Sequence, residues 1–279
     1  MSNDFLQEPS FVEIERQAFQ SIQRIFPCEK EFVDHIPLDT IWTHFHEQLN
    51  PQKHPFLIRV AGQSGSGKSS QIVPALEYAL AKTNYFKINV GLFAQFHPHY
   101  TKWQKTCPGE LREKTNGFAL RALVLFYKQC LLNNINVILD MTLLEPEIDL
   151  YLMTLAKKMN YKIQTHILCI PLKISNLFIR RRQLETGRQV RLTSSQYFFN
   201  ALPRCLKVLT NAHLFTPKDV LVLWSHSLSR PIRITHLNNP AVLRLLGQYR
   251  QSPFKIKDPT ALLKAKKVWM KQLVEVLHV

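Results

Sequence analysis

An α/β fold, with a mainly parallel sheet and helices on both of its faces, is what this 279-residue sequence predicts. Three observations carry the prediction. Short apolar runs alternate with longer segments of helical periodicity from about residue 56 onward. A glycine-rich loop stands directly between one such run and one such helix. A further run, Asn136-Val137-Ile138-Leu139-Asp140, closes on a carboxylate. Strands that alternate with helices pair in parallel, because each crossover carries a helix back over the sheet. Helical extensions are expected at both ends of this core. The expected organisation is an N-terminal helical extension over 1–52, an α/β domain over 53–236 and a C-terminal helical extension over 237–279.

The N-terminal part reads as helix from the spacing of Phe11, Ile14, Ala18, Ile22 and Ile25 by threes and fours, with Pro27 ending it. A second short helix is expected over Thr40 to Leu49, and this extension has no chemical motif. Phe56-Leu57-Ile58-Arg59-Val60-Ala61 then reads as a buried strand, and Ser70 to Lys82 as a helix. Between them lies Gly62-Gln63-Ser64-Gly65-Ser66-Gly67-Lys68-Ser69, which fits the P-loop pattern G-x-x-x-x-G-K-S/T at every position. Strand, glycine loop and helix is the context that the motif requires. Three of the chain's 8 glycines fall here, and close approach of backbone to phosphate is a local reason for it. Backbone N–H groups and the positive end of the helix form a cradle for phosphate oxygens. The pattern implies binding of a nucleoside triphosphate, ATP or GTP, by Gly62, Gln63, Ser64, Gly65, Ser66, Gly67, Lys68, Ser69 and Ser70. Lys68 is expected to reach the β- and γ-phosphates, and the Ser69 hydroxyl to ligate Mg²⁺.

Pro74 interrupts the helix after the loop and is expected to kink it or shorten its regular part. Tyr85 to Val90 reads as a second strand, and Gly91 to Gly109 as a loop-rich stretch containing His97-Pro98-His99-Tyr100 and Trp103. The pairs His44/His46 and His97/His99 lack further ligands at a recognised metal spacing. A helix from Arg112 to Leu132 leads into the strand ending at Asp140, whose position is that of a carboxylate holding the metal of a P-loop protein. A helix over Pro146 to Met159 and a strand over Gln164 to Ile170 continue the alternation.

Five arginines then fall close together: Arg180, Arg181, Arg182, Arg188 and Arg191. A solvated basic helix is one reading. In a P-loop protein the favoured one is a phosphate-clamping lid, since guanidinium forks match phosphate oxygens and stabilise a phosphoryl group in transfer. Asp219 to Trp224 and Pro231 to Thr235 read as strands joined by a serine-rich turn, followed by helices over Pro240 to Tyr249 and Pro259 to His278.

Composition narrows the classes. Lys and Arg number 36 against 20 Asp and Glu, a formal charge of +16 that favours anionic partners: nucleotides, phosphosugars, nucleic acid or a membrane surface. Five scattered cysteines without a C-x-x-C pair read as reduced, buried thiols. There is no apolar run long enough to span a bilayer, and no signal-peptide pattern at Met1-Ser2-Asn3-Asp4. A cytoplasmic protein is expected, with leaderless secretion left open.

With these motifs in place, the chain resembles the zeta toxin family of P-loop kinases from about Phe56 to Trp224. The resemblance rests on the P-loop, the His97-Pro98 pair with Tyr100, the strand end from Val137 to Thr142, the arginine at Arg182, and Thr186-Gly187-Arg188. It implies an ATP- and Mg²⁺-dependent kinase that phosphorylates a hydroxyl, UDP-N-acetylglucosamine being the family's best-known substrate. It further implies Lys68 on the phosphates, Ser69 on the metal, Asp140 as an acid near the substrate, and Arg182 and Arg188 on the transferring group, with Arg191 as second choice. An antitoxin protein is the partner the resemblance raises. The family's general base is an Asp seven residues before the proline of the His-Pro pair; here that position is Gly91, and no Asp or Glu occurs between Glu77 and Glu110. The stretch between Glu113 and Asp140, where family acids help hold a sugar, is also bare. The expected reaction is therefore phosphorylation of a nucleotide-sugar or other nucleotide-type small molecule. The alternatives are a nucleotide-binding protein that has lost catalysis and a polynucleotide 5′-kinase.

Overall fold

The computed structural model describes residues 4–142, 145–186, 192–215, 219–224, 232–234 and 239–251. Helix α1 (Pro9–Ile25) starts with proline in its first turn, where a missing N–H costs nothing, and stops just before Pro27. Two short helices follow, α2 (Lys30–Asp34) and α3 (Leu38–Phe45). Strand β1 (Phe56–Ala61) is buried at every residue, Arg59 within its apolar run included. Beyond the glycine loop, a five-residue π turn (Lys68–Ile72) passes into α4 (Val73–Ala79), so the proline-interrupted helix is short. Strand β2 (Phe86–Ile88) precedes α5 (Tyr100–Thr106) and α6 (Leu111–Leu132). The stretch expected to be loop-rich thus contains a helix and two 3₁₀ turns. Next come β3 (Val137–Asp140), α7 (Pro146–Lys158), β4 (Lys162–Leu168), α8 (Leu172–Thr186) and α9 (Leu192–Asn211). Strands β5 (Val220–Trp224) and β6 (Ile232–Ile234) and helix α10 (Asn239–Gln251) complete the described chain. The serine-rich turn and the helix expected over Pro259 to His278 lie outside the described residues.

The strand order is β2-β3-β1-β4-β5-β6. β2 runs parallel to β3 with Phe86 opposite Val137, and β4 parallel to β5 with Gln164 opposite Val220. β6 is antiparallel to β5, to which it pairs at one end of the order. This is the mainly parallel α/β sheet that the strand–helix alternation predicts. No helix among the described residues is long and apolar enough to cross a membrane.

The chain divides into two compact units. The first takes Met1–Leu57, Tyr85–Leu139 and Glu145–Lys162. Its axis is α6, which is buried on nearly all sides from Thr115 to Leu131, the signature of a core helix. Trp42, Phe45, Phe86 and Phe93 all pack tilted or edge-on around Phe126 with ring centroids 5.4–5.6 Å away. The packing of the N-terminal helix is specific. α1 buries Phe11, Ala18 and Ile22, while Glu15 accepts from Lys128 Nζ (2.8 Å) and from the Tyr151 hydroxyl (2.7 Å). Where the chain leaves α1 it crosses α6 so closely that a Cβ at Gly117 would fall 2.5 Å from the Phe26 carbonyl oxygen.

The second unit takes Ile58–Asn84, Asp140–Leu144 and Ile163–Val279. Ala61, Ile167, Leu221 and Leu223 of its strands, with Cys169 just after β4, pack with Leu202, Cys205 and Leu206 of α9 and Leu246 of α10. His166 and Trp224 stack on neighbouring strands, the Trp224 indole N–H donating to His166 Nδ1 at 3.0 Å. Burial lowers the His166 pKa to about 3, so the ring is neutral. The five cysteines form no disulfide; Cys130, Cys169 and Cys205 are buried as expected, whereas Cys28 and Cys107 are only half-buried.

Candidate functional site

The site is built on the loop that leaves β1. Gly62, Gly65 and Gly67 all have positive φ (144°, 74° and 102°), the region that L side chains avoid. A Cβ at Gly65 would fall 2.4 Å from the Ser175 carbonyl oxygen and 2.8 Å from Ile179 Cγ1. The loop therefore needs glycine for its own backbone and also for the first turns of α8, which rest on it. Gln63 is buried and donates from Nε2 to the Ile170 carbonyl (2.8 Å), tying the loop to the segment after β4. Ser66 Oγ is fully buried without a partner, an unmet polar group within the loop. Lys68 folds back over its own loop, donating to the carbonyls of Gly62 (2.7 Å) and Gln63 (3.2 Å). Its ammonium is thus held on the loop where phosphate oxygens could replace those carbonyls. The Ser70 hydroxyl closes onto the Gly67 carbonyl at 3.3 Å.

The two expected metal-ligating groups meet. The Ser69 hydroxyl donates to Asp140 Oδ2 at 2.9 Å although 71 residues separate them. Asp140 is placed by the end of β3, and the following Met141 N–H bonds to the Val60 carbonyl of β1 (3.3 Å). A hydroxyl and a carboxylate in contact are hard oxygen donors, the set that suits Mg²⁺ with the remaining positions left to phosphate and water. The residues present fit that ion. Among the described residues, no group of three or more His, Cys, Asp or Glu side chains converges as a metal site.

The arginine segment is anchored to the same loop from both sides. α8 meets Gly65 through Ser175 and Ile179, and Arg182 lies exposed on the same stripe, three residues beyond Ile179. α9 sends the Ser195 hydroxyl to the Ser64 carbonyl at 3.4 Å. Arg181 is engaged elsewhere, bridging to Glu185 one turn on (2.6 Å). Arg188 and Arg191 lie outside the described residues. The anchors Ser175 and Ser195 escape a sequence reading, since a serine in a helix carries no signal of its own.

Gly91 and His97 belong to the first unit. Gly91 sits exposed in a 3₁₀ turn after β2, with an ordinary negative-φ backbone; a Cβ there would meet only Asn89 Oδ1, at 3.1 Å. His97, a conceivable substitute base, is buried among Phe32, Trp103 and Phe118. Its Nδ1 accepts the His99 backbone N–H (3.0 Å), which leaves the proton of the neutral ring on Nε2. Burial, reinforced by neighbouring His99, lowers its pKa to about 4. A ring in that state organises the turn rather than taking protons at neutral pH.

A family model described as zeta toxin matches residues 41–230. Among solved structures, one from the PezAT chromosomal toxin–antitoxin system of the human pathogen Streptococcus pneumoniae is similar in fold. It has 17% identity and a TM-score of 0.64, over 88% of this chain and 99% of that one. The AvrRxo1-ORF1:-ORF2 complex in its native form is similar at 15% identity and TM-score 0.52, over 94% of this chain and 83% of that one. The same complex with ATP gives 14% identity and TM-score 0.50, over 93% and 84%. Comparison with curated proteins by sequence returned no match.

Proposed function

The chain belongs to the zeta toxin family, and on that premise we propose that it transfers the γ-phosphoryl group of ATP to a hydroxyl of a nucleotide-type small molecule. The observation that carries this reading is the contact between Ser69 and Asp140 beside an intact glycine loop. The loop amides and Lys68 bind and orient the β- and γ-phosphates, and GTP would fit the same groups. Ser69 and Asp140 hold Mg²⁺, which supplies neutralisation of charge on the phosphate oxygens when bound. Arg182 on α8, with Arg188 and then Arg191 beyond it, takes the charge spread over the transferring group. The acceptor oxygen bonds to the γ-phosphorus as the bond to the bridging oxygen breaks, and ADP leaves. In a loose transition state the hydroxyl proton departs late, so it can pass to the transferred phosphoryl or to water where Gly91 supplies no carboxylate. The α/β domain over 53–236 is the catalytic part of this reading, the cytoplasm its location, and an antitoxin its protein partner.

A second reading is favoured by Gly91 and by the occupied Nδ1 of His97: a family member that binds nucleotide and no longer transfers phosphate. One experiment separates them. Metabolite extracts from cells expressing the wild type and Lys68→Ala are compared by mass spectrometry. A compound gaining one phosphate only with the wild type supports the kinase and excludes the second reading. Identical extracts, with nucleotide binding retained by the wild type, favour the second.

A further inference from the structure

The helix that leaves the P-loop does not begin with α winding. Gln71 N–H bonds to the Gly67 carbonyl (2.9 Å), but Val73 N–H reaches five residues back to the Lys68 carbonyl. Lys68–Ile72 is therefore a single π turn. Such turns are rare, concentrate at functional sites and have local causes. Here the cause is Pro74. It has no N–H for the Ser70 carbonyl, and in regular α winding its ring would strike that carbonyl. A wider turn carries the carbonyl clear. Proline also disfavours helical backbone in the residue before it. Val73 nevertheless holds φ −59°, ψ −48°, so the chain stays helical and absorbs the misfit one turn earlier.

An extra residue in a turn changes the phase of everything on its far side. Downstream the phase is fixed by burial, since Ile72, Val73, Ala75 and Leu76 are all at most 4% exposed. Consequently the inserted residue turns Lys68 and Ser69 by about 100° around the axis, relative to uninterrupted α winding. In that phase Ser69 Oγ lies against Asp140.

We infer that Pro74 is a positioning residue: by widening the first turn it aims the Ser69 hydroxyl at Asp140 and so sets the geometry of the divalent-cation site. The inference rests on the metal-holding role proposed above for that pair.

The test is Pro74→Ala in the full chain, read by crystal structure, by thermal melting and by Mg²⁺ titration of binding of a fluorescent ATP analogue. The variant is expected to rewind 68–72 as α-helix and to part Ser69 from Asp140. Its melting temperature should hold or rise, because alanine is the better helix former. The Mg²⁺ concentration for half-maximal stimulation of binding should rise about tenfold, the scale of losses when groups orienting metal ligands are removed. Lys68 turns together with Ser69, so metal-free binding should weaken as well, whereas Ser69→Ala, which leaves the turn and Lys68 in place, should reproduce the Mg²⁺ shift alone. A variant that keeps the π turn overturns the inference, as does one that loses the Ser69–Asp140 contact with an unaltered Mg²⁺ requirement. Failure of the wild type to bind the analogue would count against the nucleotide reading instead, while the crystal comparison still decides whether Pro74 sets the turn.

Discussion

Gly91→Asp returns a carboxylate to the position where the family resemblance puts the general base, and the local structure allows it. The backbone there has no left-handed φ, and the residue is exposed at the surface. A Cβ would meet only the Asn89 side-chain oxygen at 3.1 Å, a contact relieved by a shift of that flexible side chain. The stability change should therefore stay within about 0.5 kcal/mol, the usual range for an exposed site. The rate change should be large. General-base assistance is worth about 10² to 10⁴, or roughly 2.7 to 5.5 kcal/mol of barrier at 1.36 kcal/mol per factor of ten. The assay incubates purified wild type and variant with γ-labelled ATP and a metabolite extract as acceptor pool, and follows label entering organic products. Nucleotide affinity, measured in parallel, should be equal in the two proteins. A folded variant that binds ATP normally yet labels the same product no faster refutes the reasoning that a missing base limits transfer.

Other expectations follow from single contacts. Asp140→Asn keeps the shape of the Ser69 contact and removes the charge, so the Mg²⁺ requirement of nucleotide binding should rise about ten- to a hundredfold with the melting temperature nearly unchanged. Gly65→Ala forces a left-handed alanine, costing about 1–2 kcal/mol, and drives its Cβ to 2.4 Å from the Ser175 carbonyl; thermal melting and analogue binding should both fall. Gly117→Ala should destabilise by about 1–3 kcal/mol in urea titration despite better helix propensity, because the Phe26 carbonyl has no room to give. His97 and His166 have pKa values lowered by burial to about 4 and about 3, below the ordinary 6.5. The unfolded chain thus binds more protons than the folded one between those limits, and stability present above pH 6.5 should drain away as pH falls toward 4. His97→Asn, which retains an acceptor for the His99 N–H, should flatten that slope in melting curves taken across the range.

How legible these features are depends on whether the information is local. The strands could be read because burial on both faces demands apolar runs: β5 is one throughout, β3 up to Asp140, and β1 with Arg59 as its one interruption. Their ends shift by a residue or two, where pairing and not composition decides. α5 went unread because Tyr100 to Thr106 buries no residue and so has no apolar stripe. α9, a stretch to which the sequence reading assigns no element, contains an apolar stripe at Leu202, Leu206 and Leu209 with Pro203 inside it. In the site, the glycine loop carries its own signature. The meeting of Ser69 with Asp140 was legible only through the motif, since nothing local links residues 71 apart. Pro74 announced a disturbance of the helix; that it takes the form of a π turn depends on the buried face of α4 holding the helix in place. The burial of the His97 ring against Phe32 and Phe118 is a product of tertiary packing and leaves no trace in the sequence.

The twin anchorage of α8 and α9 on the P-loop, through Ser175 against Gly65 and Ser195 on Ser64, makes the arginine-bearing helices and the phosphate cradle one thermodynamic system. Any molecule that binds those helices and alters their seat on the loop must change the affinity for nucleotide, and nucleotide must change the affinity for that molecule by the same factor. A protein inhibitor of this chain therefore has no need to cover the cradle. Prying at either helix would empty it from a distance, and a cell rich in ATP would resist the inhibitor to the same degree.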